Sequence, residues 1–579
     1  MAWYEKVTKP IRGLLKLDEK PKINEGLETL QEYKDRWRSI YIIYFTMFLI
    51  SLGFSIIVTG VWPYLNKLDP TAGKEFMGWV VAANPLGQMI FSPLVGWWSN
   101  RLGSIRIPLI SSLIIFTVSS AMYSSLELFD NHRKYLMVFS RFLVGVSSAN
   151  IAACRSYLSA ATTVSERTKA VSMISLAQVL GFVIGPAIQV AVVPLGTDGV
   201  WLIKDKLKLD MYTASGWINV FLSVVNIYLF FPSMFKEFKI ATKEAMKKSG
   251  TDNEKDTWKM YKPSYFAAWS LLVAFFVIVF NFMLLETLGT PVTMDQFAWS
   301  DSTSLKNMGI LMCVGAVLAI ATFASIAPLS KRYSEVTIMI WGGFLFMVLG
   351  RLTYIPFMND PPQMFDNPLK VNLSLYCKLR DKNATFDIIS QTVDLNYIST
   401  TLLNRNITFD VDVTDTNTLH AITLNCGDDL LGCPSTQEWC TYTPAMTLTQ
   451  FILGYILTAF GYPIGVTLIQ TLFSKVLGPR PQGVWMGLMT GSGCLSRVMG
   501  PVFVTFIYEE YGTVWTFSLT TVMMAVCLLW LLLFANKLLP KDSFNVDEEE
   551  GRELKEVGKF VSVALDEQQE TEPLKTIES

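Results

Sequence analysis

Histidine is nearly missing from this 579-residue chain: His132 and His420 are the only two, and both fall between apolar runs. That scarcity excludes histidine-based metal centres, Cys-His nucleophiles and Ser-His-Asp triads. The phosphate loop GxxxxGK[ST] and the dinucleotide turn GxGxxG are absent, so neither nucleotide-driven work nor redox catalysis is expected, and no cofactor or metal. Charge is scarce as well, at 17% of residues against 51% hydrophobic, with a net charge of −1. A soluble protein of this size needs a more charged surface, and a balanced chain gives no reason to expect nucleic acid as a partner. These absences leave a polytopic membrane protein, not an enzyme, with the lipid bilayer as its first partner.

Apolar runs are abundant. They cover about 39–64, 76–98, 107–125, 135–157, 171–193 and 212–233, then 264–289, 303–328, 337–357, 444–473, 483–507 and 513–536. Each is long enough to cross ~30 Å of hydrocarbon at ~1.5 Å per residue. Loops after even-numbered runs carry the basic excess: Arg101 and Arg106, Arg167 and Lys169, eight lysines within 234–263, Lys331 and Arg332, Lys475 and Arg480. By the positive-inside rule these loops are cytosolic, and an even number of crossings puts both termini there.

The expected organisation is a cytosolic N-terminal tail (1–38), a six-helix bundle (39–233), a basic cytosolic linker (234–263), a second six-helix bundle (264–536) and an acidic cytosolic tail (537–579). No signal peptide is expected at the start. The long loop 358–443 falls on the non-cytosolic side. It holds sequons at Asn372, Asn383 and Asn406, and four of the eight cysteines, Cys377, Cys426, Cys433 and Cys440. An oxidising lumen makes glycosylation and two disulfides, in any of three pairings, the expectation. Cys154, Cys313, Cys494 and Cys527 lie in apolar runs and read as buried small residues.

Interior charges are the candidate functional residues, because a charge inside a membrane bundle is costly and faces inward. The run 264–289 contains one carboxylate, Glu286. Arg141 and Arg155 fall at about 10 and 31 Å along the fourth helix, and Arg497 about 22 Å along the eleventh. A fixed mid-membrane cation is an anion site in its simplest reading. Glu286, matched in depth to Arg141, reads as a gate partner or a proton-coupling group, with a permanent buried pair as the structural alternative. Arg155 either faces the pathway or snorkels to the cytosolic surface. Tyr44, Gln178, Gln450 and Gln470 are secondary candidates for lining the pathway, with interhelical hydrogen bonding as the alternative.

The loop after the second run, Gly96-Trp97-Trp98-Ser99-Asn100-Arg101-Leu102-Gly103-Ser104-Ile105-Arg106, resembles the signature loop of the major facilitator superfamily. Asn100 stands where that family has aspartate, so the gate formed by Gly96, Asn100, Arg101, Gly103 and Arg106 lacks its charged latch or builds it elsewhere. Arg141 followed by Gly145 and Ala149 resembles the family's fourth helix, and Gly181, Gly185 and Pro186 its fifth. Gly500-Pro501 echoes Gly185-Pro186 at an offset of 315 residues, which also aligns Arg167 with Gln482, as expected of an internal repeat. These small residues are expected to serve helix packing.

The resemblance implies an all-α fold of twelve helices in two pseudo-symmetric bundles, helices 1, 4, 7 and 10 lining a central cavity. Further segments, Tyr33-Lys34-x-Arg36-Trp37-Arg38, Trp62-Pro63-Tyr64-Leu65, Arg155-Ser156-Tyr157, Glu286-Thr287 with Thr290-Pro291-x-Thr293-Met294-Asp295, and Gly478-Pro479-x-Pro481-Gln482-Gly483, resemble the lysosomal major facilitator superfamily domain-containing protein 8 branch. That branch implies a lysosomal or late endosomal membrane and movement of a small anion, chloride foremost. The residues alone leave open a proton-coupled carrier of an organic solute, a non-transporting scaffold or receptor, and a plasma-membrane location. Tyr4-Glu5-Lys6-Val7 is the best match to a signal for a cytosolic sorting adaptor.

Overall fold

The computed structural model describes residues 27–69, 73–129, 132–196, 199–203, 207–260, 263–357, 360–365, 431–434 and 437–539. The apolar runs become helices: α1 (Leu30–Leu68), α2 (Gly73–Leu102), α3 (Arg106–Ser124), α4 (Arg133–Ala160), α5 (Val164–Val192) and α6 (Thr213–Leu229). After the linker come α7 (Tyr265–Phe297), α8 (Asp301–Leu329), α9 (Glu335–Leu352), α10 (Leu448–Leu477), α11 (483–511) and α12 (513–533). Nine described helices are long and apolar enough to cross a bilayer, one being α11 and α12 joined at Gly512; α2 and α6 complete the twelve.

α1 starts well before its apolar run. Thr29 and Glu32 form a reciprocal capping box, which satisfies two of the otherwise orphaned first-turn donors. The helix tolerates Arg36 in its buried face because Glu28 (2.7 Å) and Glu166 (3.0 Å) neutralise it and Ala161 O accepts a third bond at 2.9 Å. α9 contains a π-helical stretch, Ile338–Phe344, and its glycines face those of α10. A Cβ on Gly343 or Gly350 would come within 2.9–3.0 Å of Gly465 or of Gly454 O, the close small-residue crossing typical of membrane helices.

In the first bundle α1 packs on α5, α2 on α4, and α3 on α4 and α6. In the second, α7 packs on α10 and α11, and α9 on α10. The bundles meet along α2 with α11 and α5 with α8. Gly145 lies against the backbone of Asn84, Gly181 against that of Phe48, Gly185 against Ser55 and Gly500 against Met283. Ala149 is fully buried at a one-residue break in α4, and Pro186 and Pro501 lie inside α5 and α11.

Loops after even-numbered helices gather at one end, called here the basic end. The linker helices Ile240–Ser249 and Glu254–Met260 lie against it. Glu237 accepts from Ser104 Oγ (2.7 Å) and Arg106 N (3.1 Å), capping α3. Arg106 Nη2 donates to Phe235 O at 2.6 Å. Thr242 donates to Pro479 O and Arg480 Nε to Trp258 O (3.0 Å), tying the linker to the second bundle.

At the far end, Val200–Ile203 and Leu207–Leu209 pair as an antiparallel ribbon. Beside it, Lys67 joins the fully buried Asp210 carboxylate (2.5 Å) to Glu127 (2.6 Å). Burial works against the Asp210 charge, but the Lys67 ammonium and hydrogen bonds from Thr213 outweigh it, holding the carboxyl below its ordinary range. A depressed carboxyl adds stability that is complete above the unfolded value of ~3.9 and is lost as pH falls through the lower folded value. The staple therefore stays ionised at mildly acidic pH. In Lys67→Met, with a buried carboxylate left unpaired, thermal unfolding at neutral pH should show a loss of about 2 kcal/mol. Between about pH 7 and 5 the wild type should change little from this staple, and a Lys67→Met midpoint equal to wild type refutes the role.

Cys433 and Cys440 lie at disulfide-bonding distance, with Cα atoms 6.2 Å apart. Between them Trp439 covers Gly512, whose φ is 81° and where a Cβ would sit 2.5 Å from the indole, so only glycine fits. Cys154, Cys494 and Cys527 are buried, whereas Cys313 is exposed, because α8 turns that face outward. Cys377, Cys426, Asn372, Asn383, Asn406 and the Tyr4 motif lie outside the described residues.

Candidate functional site

The described hydrogen bonds between the bundles all fall at the basic end. α2 and α11 approach so closely that a Cβ on Gly96 would lie 2.1 Å from Gly483 O. Asn100 Oδ1 accepts from Gly483 N at 2.9 Å and its Nδ2 reaches Pro481 O at 3.5 Å. The asparagine thus caps the start of α11 with a neutral bond, where the signature pattern has a charge. Ser159 and Ser474 join α4 to α10 hydroxyl to hydroxyl at 2.7 Å, and the two positions are 315 residues apart. Arg167, buried, donates to Ser159 O (3.0 Å) and Ser474 O (3.4 Å), while Gln482, its counterpart at the same offset, donates to Ser474 O (2.8 Å).

The charged part of the seam is on the other flank. Lys475 bonds Glu335 at 2.7 Å and Thr168 at 3.3 Å, and Thr168 Oγ1 also donates to Glu335. This ion pair lies within the second bundle, between α9 and α10, and meets α5 of the first bundle through the neutral Thr168 hydroxyl. Arg101 instead lies over the Trp97 ring at 5.4 Å, Gly103 makes the turn at φ 64°, and Arg106 binds its own bundle's linker. Of the five signature-loop residues, Gly96 and Asn100 touch the opposite bundle through these contacts.

Above the seam lies the central group. Side chains on a helix tilt toward its N-terminus. α4 starts at the far end and α11 at the basic end, so Arg155 and Arg497 converge. They are electrostatic neighbours, with Tyr462 of α10 and Cys494 of α11 in the same field. Arg155 Nη2 donates to Gln178 Oε1 of α5 at 3.3 Å, and its Nε is buried without a partner. Arg155 faces the interior and does not snorkel. Glu286 is an exposed carboxylate that is nonetheless ringed by protein, with Arg497 as its near charge and Tyr462 beside it. That combination describes a group lining open space between the helices. Tyr462 is fixed by stacking on Phe282, 3.9 Å between centroids. Gln470, the counterpart of Arg155 at the 315-residue offset, is 3% exposed, and both its amide atoms lack partners.

Three expected members stand elsewhere. Arg141 is buried in the first bundle, 5.5 Å over the Phe54 ring and near Tyr123, with Nε and Nη1 unpartnered. It is not the partner of Glu286; matching depths along two helices did not fix which faces meet. Gln450 completes the capping box of α10 with Thr447 and donates to Ile355 O, so it is tied up at a helix start. Tyr44 packs in one cluster with Ile151 and Cys154 of α4 and lines a groove with residues of α1, α5 and α6, among which Arg155 and Arg497 are not found.

One interior cation was not singled out from sequence. Arg351 of α9 is fully buried, donates to Asn281 O of α7 at 2.5 Å, and leaves Nε and Nη1 without partners. Its place near the end of an apolar run masked it as an interfacial anchor. Two cations and one carboxylate, Arg155, Arg497 and Glu286, thus share one electrostatic neighbourhood between the helices.

The description "Major Facilitator Superfamily" fits a family profile matching residues 43–365 and 436–568. A Xenopus laevis protein described as "Major facilitator superfamily domain-containing protein 8" is 35% identical over 523 residues, covering 90% of this chain and 95% of its own. "Multidrug resistance protein 2" of Bacillus subtilis is 27% identical over 285 residues, 49% of this chain and 64% of its own. Among solved structures, the human organic anion transporter MFSD10 (TETRAN) superposes with a TM-score of 0.52 at 14% identity, over 86% of this chain and 99% of that one. The proton:xylose symporter XylE superposes with a TM-score of 0.55 at 11% identity, over 87% and 96%. The structural likenesses speak for the fold alone.

Proposed function

Since the chain belongs to the major facilitator superfamily and is a membrane transporter, we propose that it moves a small anion, chloride foremost, across an endolysosomal membrane. The observation that carries this reading is the convergence of Arg155 and Arg497 on one space, against the single carboxylate Glu286. Two guanidiniums offer more donors than one carboxylate satisfies, and a dehydrated anion accepts them. The basic end is cytosolic in this proposal, the far end luminal and both termini cytosolic. The 35% identical Xenopus relative supports the branch, and with it the endolysosomal location. The loop carrying Asn372, Asn383 and Asn406 would then be glycosylated on the luminal side, and Cys433–Cys440 disulfide-bonded.

The test is flux and current through the full-length chain in vesicles. Anion-dependent conductance or exchange, insensitive to replacing the cation, supports the reading; solute uptake with no anion dependence overturns it. A second reading, proton-coupled carriage of an organic solute, rests on Glu286 beside Arg497. Glu286→Gln removes the titrating group while keeping shape. Under that reading transport loses its pH dependence, with a fall of about tenfold in proton-driven uptake for one disrupted coupling step. A pH profile unchanged in Glu286→Gln rejects proton coupling through this residue.

A further inference from the structure

Tyr44 points to a second site. It is 7% exposed, yet its hydroxyl has no partner. It lines a groove of about 740 Å³ on the outer side of α1, α5 and α6. The Trp37 indole N–H, buried and equally unpartnered, lines the same groove. Three cations ring its basic-end mouth: Lys34 and Arg38 from α1 and Lys169 from α5, all exposed. Arg38 shares the single Asp35 carboxylate (3.5 Å) with Lys236 (2.8 Å), which leaves excess positive charge at the mouth. Farther along α1 the lining turns apolar, with exposed Phe45 and Met173.

The groove is therefore graded, from cations past two buried, unpartnered donors to a greasy floor, over roughly 17 Å of α1 from Lys34 to Phe45. A soluble anion matches only the first part. A phospholipid matches all of it: phosphates at the cations, glycerol and ester oxygens at the two donors, acyl chain along Phe45 and Met173. We propose that this groove binds one anionic phospholipid, of the phosphoinositide class, from the leaflet at the basic end. Lys169 adjoins Thr168, so the headgroup rests on the α5 segment that meets Glu335 and Lys475 in the seam.

The test is native mass spectrometry of the full-length chain in neutral detergent with added phosphatidylinositol 4-phosphate, and phosphatidylcholine in parallel. Lys34→Gln/Arg38→Gln/Lys169→Gln should lower retention of the phosphoinositide by at least about tenfold, with phosphatidylcholine unchanged. Tyr44→Phe, which removes one hydroxyl and no charge, should lower it by about threefold. The triple variant Lys255→Gln/Lys331→Gln/Arg332→Gln, which removes three cations elsewhere at the same end, should leave it unchanged. An equal loss in that control, or undiminished retention in the groove variant, overturns the site. Displacement by an equal concentration of inositol 1,4-bisphosphate overturns the lipid reading in favour of a soluble phosphate. A tenfold or greater gain on removing residues 1–26 assigns the groove to the chain's own N-terminal segment.

Discussion

Replacing Arg497 by alanine is expected to lower anion flux through the reconstituted chain by about tenfold to a hundredfold, the loss that follows from one charge-assisted hydrogen bond of roughly 1.5–3 kcal/mol. The residue lies on α11 about 21 Å from the start of that helix, is only partly buried, and shares its field with Arg155, Glu286 and Tyr462. Arg497→Lys keeps the charge but loses the planar donor fork, so it should retain part of the flux. Arg155→Ala alone should cost a similar factor. The double variant should cost less than the product, because two neighbouring cations serving one anion are not independent. The measurement is flux per correctly inserted protein, counted by surface labelling. Wild-type current in Arg497→Ala at normal insertion removes the arginine site from the mechanism.

Gly96→Ala is expected to force the basic end open. The new Cβ would sit 2.1 Å from Gly483 O, a backbone atom that cannot rotate aside, and the same collision arises from Gly483, where a Cβ meets Gly96 O at 2.3 Å and Asn100 Oδ1 at 2.5 Å. Overpacking of this kind costs about 1–3 kcal/mol. Charged to the closed arrangement alone, it shifts the population by about fivefold to a hundredfold toward the state in which the seam has parted. The shift is read as a longer distance between spin labels at Arg101 and Arg332, which flank the seam on opposite bundles. Gly78→Ala is the internal control: it is on the same helix, and a Cβ there meets nothing within 4 Å. An unchanged distance distribution in Gly96→Ala shows that α2 and α11 give way without separating.

Apolar length made the twelve helices legible, since a run of about twenty apolar residues has few other fates. The same logic flagged Arg155, Glu286 and Arg497, because a charge inside such a run needs an inward reason. Helical phase is where sequence reasoning stopped. Arg141 and Glu286 share a depth, but only the packing of α4 against α1 and α3 reveals that Arg141 turns into its own bundle. Ser159–Ser474 and Thr168–Glu335–Lys475 escaped notice because each joins residues more than a hundred positions apart, and single serines and threonines in membrane helices carry no signal of their own. The 315-residue repeat was visible in Gly185-Pro186 and Gly500-Pro501. Extended by the same step it pairs Ser159 with Ser474 and Arg167 with Gln482, so that contact could have been found. Arg351 was hidden for the opposite reason, since an arginine near the end of a run is ordinary interfacial composition, and Tyr462 because a single aromatic in an apolar run carries no signal of its own.

The long loop between α9 and α10 leaves and returns at a single place. Met364–Phe365 pairs with Cys433–Pro434, Cys433 N donates to Gln363 O at 2.7 Å, Ala445 N to Asp360 O and Met446 N to Gln296. Every one of these anchors belongs to the second bundle. The loop is thus fastened to the second bundle at both of its described ends. Its length is free to drift, since doubling a loop whose ends are already held together adds only about 0.6 kcal/mol. Both described ends of the loop therefore travel with one half of the machine.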